Sequence, residues 1–418
     1  MPPQPNPRSS GPYRFDGWAG PEFTVTRPET GALISLVEDG RRVYIDGPRR
    51  CGKTTLAINA LAEVGLKALK IDLEGVCSKS GLVDRVAMET YGFIRDNPAV
   101  EKALSGKRGV KASAEGNVLS VLRFSLESSS ENDRKGPTTL SDLLSAVTTV
   151  ARVAKAAVIV DEFQAANHPQ LVNASEVVGD FASASDPLRT KNEVAWLFLG
   201  SHRHIMHQIF HGAGSSFLQR TQHLGIGPIE EKLIIPFLNE RSGRDVAAGV
   251  GPEAYRWTEG IPGDLQRLYD ATLRGAESVD AITLNDLDNG KVLVLHELGG
   301  LHFEPTLARL EQESPQEMDM LRLIAQEDIR SPSELAAVTG RRKIKEKVVE
   351  HSLDALVKRG FLHFNRSKQL LERPEPMMFH FIQHFDMEHG GGHMTAKGAL
   401  HHAFRKLPTP SPAHELKP

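Results

Sequence analysis

The sequence predicts an α/β fold: a parallel sheet with helices on both faces, then a helical lid, then a small domain of helices closed by a hairpin. Three observations predict it. Strand-length apolar runs occur at Val43-Tyr44-Ile45, at 156–160 and at 194–199, without the polar alternation of a half-exposed strand. Helical periodicity lies between them, as at 139–153, where Leu140, Leu143, Leu144, Val147 and Val150 recur on one face. A glycine-containing turn, Gly47-Pro48-Arg49-Arg50-Cys51-Gly52-Lys53-Thr54-Thr55, joins the first run to the first helical stretch.

Chain-level properties bound the rest. At 418 residues the chain exceeds a single typical core, so several domains are expected. Residues 1–20 read as a disordered lead-in, 21–235 as the α/β core, 236–312 as the helical lid, 313–385 as the small domain and 386–418 as a flexible tail. Net charge is −3, so a surface for nucleic acid has to be local. Two cysteines, Cys51 and Cys77, give no disulfide framework and fit a reduced, cytoplasmic setting. The proline-rich start has no apolar targeting core, and no run reaches the length of a membrane span, so no membrane partner is expected.

Taken in order, the first element carries the strongest chemistry. Gly47 to Thr54 matches G-x-x-x-x-G-K-[ST] between a strand and a helix, the setting in which that motif cradles phosphates. Glycines let successive N–H groups curl inward on an anion, and the helix start near Gly52 adds its positive end. Lys53 is placed to reach the β- and γ-phosphates, and the Thr54 hydroxyl to ligate Mg²⁺. The loop's Pro48, Arg49, Arg50, Cys51 and Thr55 complete the nucleotide-binding set; Arg49 and Arg50 touch phosphates or pair with acids, and Cys51 reads as a packing residue. Gly65 then ends a helix, and 66–73 forms a strand with Lys67 and Lys70 at its margins. Residues 105–137 are polar and leave the core, with a hairpin expected at 118–126.

The next strand, 156–160, ends in Asp161-Glu162, placing two carboxylates at the C-terminal edge of a parallel sheet. Asp161 can hold Mg²⁺ opposite Thr54, and Glu162 can act as general base on the attacking water. The bland alternative is that both acids cap the following helix. Ser201, after Trp196-Leu197-Phe198-Leu199-Gly200, is a candidate sensor of the γ-phosphate and equally a helix cap. A guanidinium is expected where phosphate charge develops, and Arg203 and Arg220 both follow this strand. Either acts in cis or across a subunit interface of a homo-oligomer.

These residues together resemble a known group. Gly-Pro-Arg-Arg-x-Gly-Lys-Thr-Thr at 47–55, Val-Ile-Val-Asp-Glu-Phe-Gln at 158–164, Leu-Gly-Ser-x-Arg-x-x-Met at 199–206 and Phe-Leu-Gln-Arg at 217–220 are similar to the archaeal-type ATPases of the STAND/AAA+-related P-loop NTPases. The similarity covers roughly residues 20–300 and includes Gly260-Ile261-Pro262-Gly263, which resembles the family's lid element. It implies an ASCE-type P-loop sheet, ATP as substrate, Walker roles for Lys53, Thr54, Asp161 and Glu162, a sensor role for Ser201, and Arg220 as the arginine finger. It also implies a C-terminal winged helix. The long 105–137 segment and the loose match of Arg27-Pro28-Glu29-Thr30 to the family's lead-in are departures, and the second leaves the adenine pocket unassigned.

The residues after 315 support the winged-helix expectation separately. Met318, Leu321, Ile324 and Ala325 have helical spacing, Ser331-Pro332-Ser333-Glu334 starts a second helix, and a third is expected over 341–358. Gly360-Phe361-Leu362 opens a ribbon expected to return through residues 377–381. Residues 330–373 hold eleven Lys/Arg against five Asp/Glu, with Arg341, Arg342, Lys343, Lys345 and Lys347 clustered where a recognition helix meets DNA. Protein docking is the competing use of such a domain. The histidines at 380, 384, 389, 393, 401 and 402 lack a metal-ligand pattern, so no metal is assigned to them. The sequence therefore points to a Mg²⁺-dependent ATPase acting as a nucleotide-driven, DNA-linked switch. A nucleotide-gated signalling scaffold with slow hydrolysis and a replication-initiator-like DNA-binding regulator are the alternatives.

Overall fold

Five parallel strands alternate with helices in the computed structural model of the chain, in the sheet order β2-β3-β4-β1-β5. The strands are β1 (Arg42–Asp46), β2 (Lys67–Asp72), β3 (Ala156–Asp161), β4 (Trp196–Gly200) and β5 (Gln222–Gly225). The structure describes residues 13, 23–105, 139–168, 170–171, 173–191, 193–218, 220–365, 368–387 and 394–396. The expected lead-in, the hairpin at 118–126 and most of the tail, with His389, His393, His401 and His402, lie outside them.

Alternation along β1, β3 and β4 explains why the middle of the sheet is buried on both sides. Tyr44, Leu69, Ile71, Val158, Val160, Trp196 and Phe198 face one core, which also holds Leu143, Leu144 and Val147 of the Leu140–Ala154 helix. Val43, Ile45, Ala157, Ile159, Leu197 and Leu199 face the other, against Leu56, Ala57, Ala60 and Leu61 of the Lys53–Glu63 helix. A strand apolar at every position is the outcome of having both faces covered. The Leu140–Ala154 helix begins with a capping box, Thr139 and Asp142 each bonding the other's backbone.

By packing of Cα atoms the described residues fall into two units. One comprises those of Arg14–Ile229 together with Ile261–Gly263, and contains the five-stranded sheet. The other comprises Tyr13 and those of Glu230–Gly260 and Asp264–Pro418.

The second unit begins with the helices Glu231–Ser242, Val250–Thr258, Pro262–Gly275 from Asp264 onward, Leu284–Leu298 and Glu304–Glu313. A two-residue parallel pairing of Asp245–Val246 with Ala281–Ile282 runs among them. Further on come Pro315–Gln326, Pro332–Arg341 and Glu346–Lys358, then an antiparallel pair, His363–Asn365 with Leu370–Glu372, and a helix at Pro376–His384.

Two expectations are corrected here. Arg341 ends the second of these three helices instead of opening the third, because the chain turns through Lys343 at φ 56° and Ile344 donates back to the Thr339 carbonyl at 3.0 Å. The basic residues therefore occupy a turn and the first turn of the Glu346–Lys358 helix. The ribbon also returns earlier than expected, through Leu370–Glu372, while residues 377–381 are helical. A short apolar run does not distinguish strand from helix by itself, and Pro376 at the start favours the helix.

Candidate active site

Strand β1 ends at Asp46, and the chain curls through Gly47–Gly52 into the Lys53–Glu63 helix. Two glycines make that path possible. Gly52 takes φ +88°, a left-handed conformation costly for any residue with a Cβ. Gly47 has no room: a Cβ there would lie 2.5 Å from the Ile226 carbonyl oxygen.

Lys53 is buried, and its ammonium donates to the carbonyls of Gly47 at 3.0 Å and Pro48 at 2.8 Å. It is folded back across the loop it would share with a phosphate. Arg49 is exposed, Cys51 is fully buried, and Arg50 holds φ 59°. Within the same unit, the Gly263 N–H donates to the Arg50 carbonyl at 3.0 Å.

The acidic strand meets this loop directly. The Thr54 hydroxyl donates to Asp161 Oδ2 at 2.7 Å. Glu162 follows with φ 50°, a sparsely populated conformation that turns its carboxylate away from the strand direction. Its Oε2 accepts from the Ser201 hydroxyl at 2.9 Å and from the Gln164 side-chain amide. Gln164 also donates to Ser201 at 3.2 Å. The fold thus gathers Lys53, Thr54, Asp161, Glu162 and Ser201, all singled out from the sequence, at the C-terminal edge of the sheet.

Sequence reasoning missed three residues. Arg27 is buried beneath the loop, donating to the Cys51 carbonyl at 2.9 Å and the Gly227 carbonyl at 2.7 Å. Gln164 clamps Glu162, and its position two residues beyond the acid pair was the available signal. Lys70, read as a strand margin, sits with its ammonium 3.1 Å from Asp161 Oδ2 and 2.9 Å from Asp72 Oδ2. Burial disfavours the charge on Lys70, but the Asp161 and Asp72 carboxylates outweigh it and raise its pKa above the ordinary lysine value.

The two candidate arginines separate. Arg203 opens the helix after β4 and donates to the Ile226 carbonyl at 3.0 Å, the oxygen that crowds Gly47. Arg220 is not brought to the loop. It precedes β5 and pairs with Asp186 at 2.8 Å, near the N-terminal end of β1 where Arg42 bonds Thr221. Four residues of β1 separate that edge from the loop, roughly 13 Å.

The donor set at Thr54 and Asp161 fits a hard divalent cation. It offers a carboxylate and a hydroxyl, oxygen ligands of the kind Mg²⁺ takes. Among the described residues no cluster of three or more His, Cys, Asp or Glu forms a separate metal site. His380 is held by hydrogen bonds instead, Nε2 with the Trp257 carbonyl at 2.8 Å and Nδ1 with Gln383 at 3.0 Å.

The basic turn of the second unit exposes Arg341, Arg342, Lys343, Lys345 and Lys347. Arg342 pairs with Glu327 at 2.5 Å.

No protein-family model matches the chain, and no curated protein does. Solved structures do. A Walker-type ATPase of Pyrococcus abyssi superposes with a TM-score of 0.66 at 17% identity, over 89% of this chain and 99% of that one. The ORC2 protein of Aeropyrum pernix, solved in ADPNP–ADP complexes, gives 0.51 at 16% identity, over 88% of this chain and 95% of its own. At these identities the likeness establishes the fold, that of a P-loop NTPase. No helix among the described residues is long and apolar enough to cross a membrane.

Proposed function

We propose that this chain is an ATP-binding and ATP-hydrolysing switch whose nucleotide state is read out through residues 313–385, folded as a winged helix that engages DNA. One observation carries the enzymatic part: the fold brings Thr54 of the loop into hydrogen-bond contact with Asp161, beside Glu162. A phosphate-sized anion in the loop gives Lys53 a better partner than the two carbonyls it now holds, since a charged acceptor strengthens the bond. Mg²⁺, held by Thr54 and Asp161, would supply charge neutralisation for the transferring phosphoryl group. Glu162 takes a proton from the attacking water, and Ser201 and Gln164 fix the orientation of its carboxylate.

Of the two arginines that follow β4, Arg203 is the one on the loop's side of the sheet. Arg220, on the opposite edge, serves a phosphate only in a neighbouring copy, so its finger role belongs to a homo-oligomer. The adenine base, the cytoplasmic setting and the domain limits 21–235, 236–312 and 313–385 complete this reading. Support for the DNA part is the exposed basic turn before the Glu346–Lys358 helix, a local positive patch of the kind that nucleic-acid binding requires.

Phosphate release from the purified chain, measured with ATP in Mg²⁺ and in excess chelator, tests the enzyme. Metal-dependent turnover is expected. Tight ATP binding without turnover would leave the nucleotide-gated scaffold instead.

A further inference from the structure

Two carboxylates stand side by side where one is needed. The parallel register of β2 and β3 sets Asp72 opposite Asp161, at the end of the sheet that receives the nucleotide. Leu69 and Ile71 face the core on one side of the sheet, so Lys70 and Asp72 share the other face with Asp161. Bare, two such acids beside a polyanion repel one another and the incoming phosphates. The strand itself supplies the compensation: Lys70, two residues before Asp72, bridges both, at 2.9 Å to Asp72 and 3.1 Å to Asp161. The Asp161 oxygen it touches, Oδ2, is the one that also accepts from Thr54.

We infer that Lys70 is a resident counter-ion of the metal site: its ammonium occupies the face of Asp161 toward Thr54 in the absence of metal, and withdraws to Asp72 when Mg²⁺ enters with the nucleotide. The inference rests on the reading of this site as a Mg²⁺–nucleotide site. Geometry makes the exchange local. Lysine carries a compact charge on a flexible stem, so it can release one carboxylate while keeping the other. Asp72 is anchored for that second role by the Glu74 N–H at 3.0 Å. Lys70 thereby sets how strongly nucleotide binding depends on metal. With the ammonium present the site tolerates ATP without Mg²⁺, and without it ATP meets an Asp161 that has lost its ion-pair partner.

The test compares the affinity of the full-length protein for a fluorescent ATP analogue in excess Mg²⁺ and in chelator, for the unaltered chain, Lys70→Met and Lys70→Arg. For Lys70→Met the affinity in chelator should fall by about 10-fold or more, while that in Mg²⁺ stays level or improves. Lys70→Arg keeps the charge and should keep most of the chelator affinity. Equal losses in both buffers, or no loss in either, overturn the inference while leaving the nucleotide site intact. Absence of binding by the unaltered chain overturns the nucleotide site itself, and this inference with it. A second measurement needs no variant. Reductive methylation of Lys70 in the ADP-bound protein, read by peptide mass spectrometry, should accelerate when MgCl₂ replaces chelator. An unchanged rate means that the ammonium never leaves Asp161.

Discussion

Thr54 and Asp161 lie 107 residues apart in the chain, and the hydroxyl of the first donates to the carboxylate of the second at 2.7 Å. That hydrogen bond closes the distance between the phosphate loop and the acidic strand, and it does so because β1 and β3 flank β4 in one parallel sheet. The two side chains are thereby held together as neighbouring oxygens at the C-terminal edge of the sheet.

Replacing Thr54 by alanine removes one donor and leaves the fold's buried core untouched. The expected outcome is a loss of about 10-fold or more in ATP affinity in the presence of Mg²⁺, with a much smaller change in chelator. Calorimetric titrations in the two buffers check this. Equal losses would place Thr54 on the phosphate and not on the metal.

Charge reversal of the basic turn tests the read-out. In a chain carrying Arg341→Glu, Lys343→Glu and Lys345→Glu, DNA affinity should fall uniformly across sequences. The dependence of log K on log salt should flatten by about one unit for each DNA phosphate that the altered turn no longer neutralises. Binding unaffected by the three changes would make the domain a protein-docking unit.

Asp286 provides a pH-dependent contribution to stability in the second unit. Its carboxylate accepts from the Thr283 N–H at 2.8 Å, the Thr283 hydroxyl at 2.7 Å and the Glu277 N–H at 3.2 Å. Burial opposes the charge, yet these bonds prevail and hold its pKa below the ordinary aspartate value. A depressed carboxylate stabilises the fold above its unfolded pKa of about 3.9 and loses that contribution as pH falls through the lower folded value. Asp286→Asn should therefore cost about 1–2 kcal/mol at pH 7. The difference should shrink as the pH is lowered below about 4, read from denaturant midpoints. A pH-independent difference would assign the loss to packing.

Much of this site is legible in the sequence because its parts are local signals. A strand, a glycine turn and a helix are contiguous, so Gly47 to Thr54 announce themselves, and Asp161-Glu162 follow an apolar run that ends abruptly. The Ser201–Glu162 bond is not itself readable, but each residue directly follows a strand, and the two strands are neighbours in the sheet. Lys70 escapes notice because its partners are created by the register of β2 on β3, which composition does not reveal. The resemblance assigns Arg220 the finger role, whereas its place before β5 puts it at the far edge of the sheet. The Glu346–Lys358 helix is shorter than the sequence suggests because Lys343 adopts a left-handed conformation that nothing in a lysine forecasts.

The central claim is that Glu162 performs the chemistry of an ATP site built on Lys53, Thr54 and Asp161. Glu162→Gln keeps the side chain's size and its contacts with Ser201 and Gln164 within reach, while removing the basic oxygen. Single-turnover phosphate release should fall by about 10²- to 10⁴-fold, with ATP affinity in Mg²⁺ unchanged within a few-fold. Turnover retained at the rate of the unaltered chain would contradict the account.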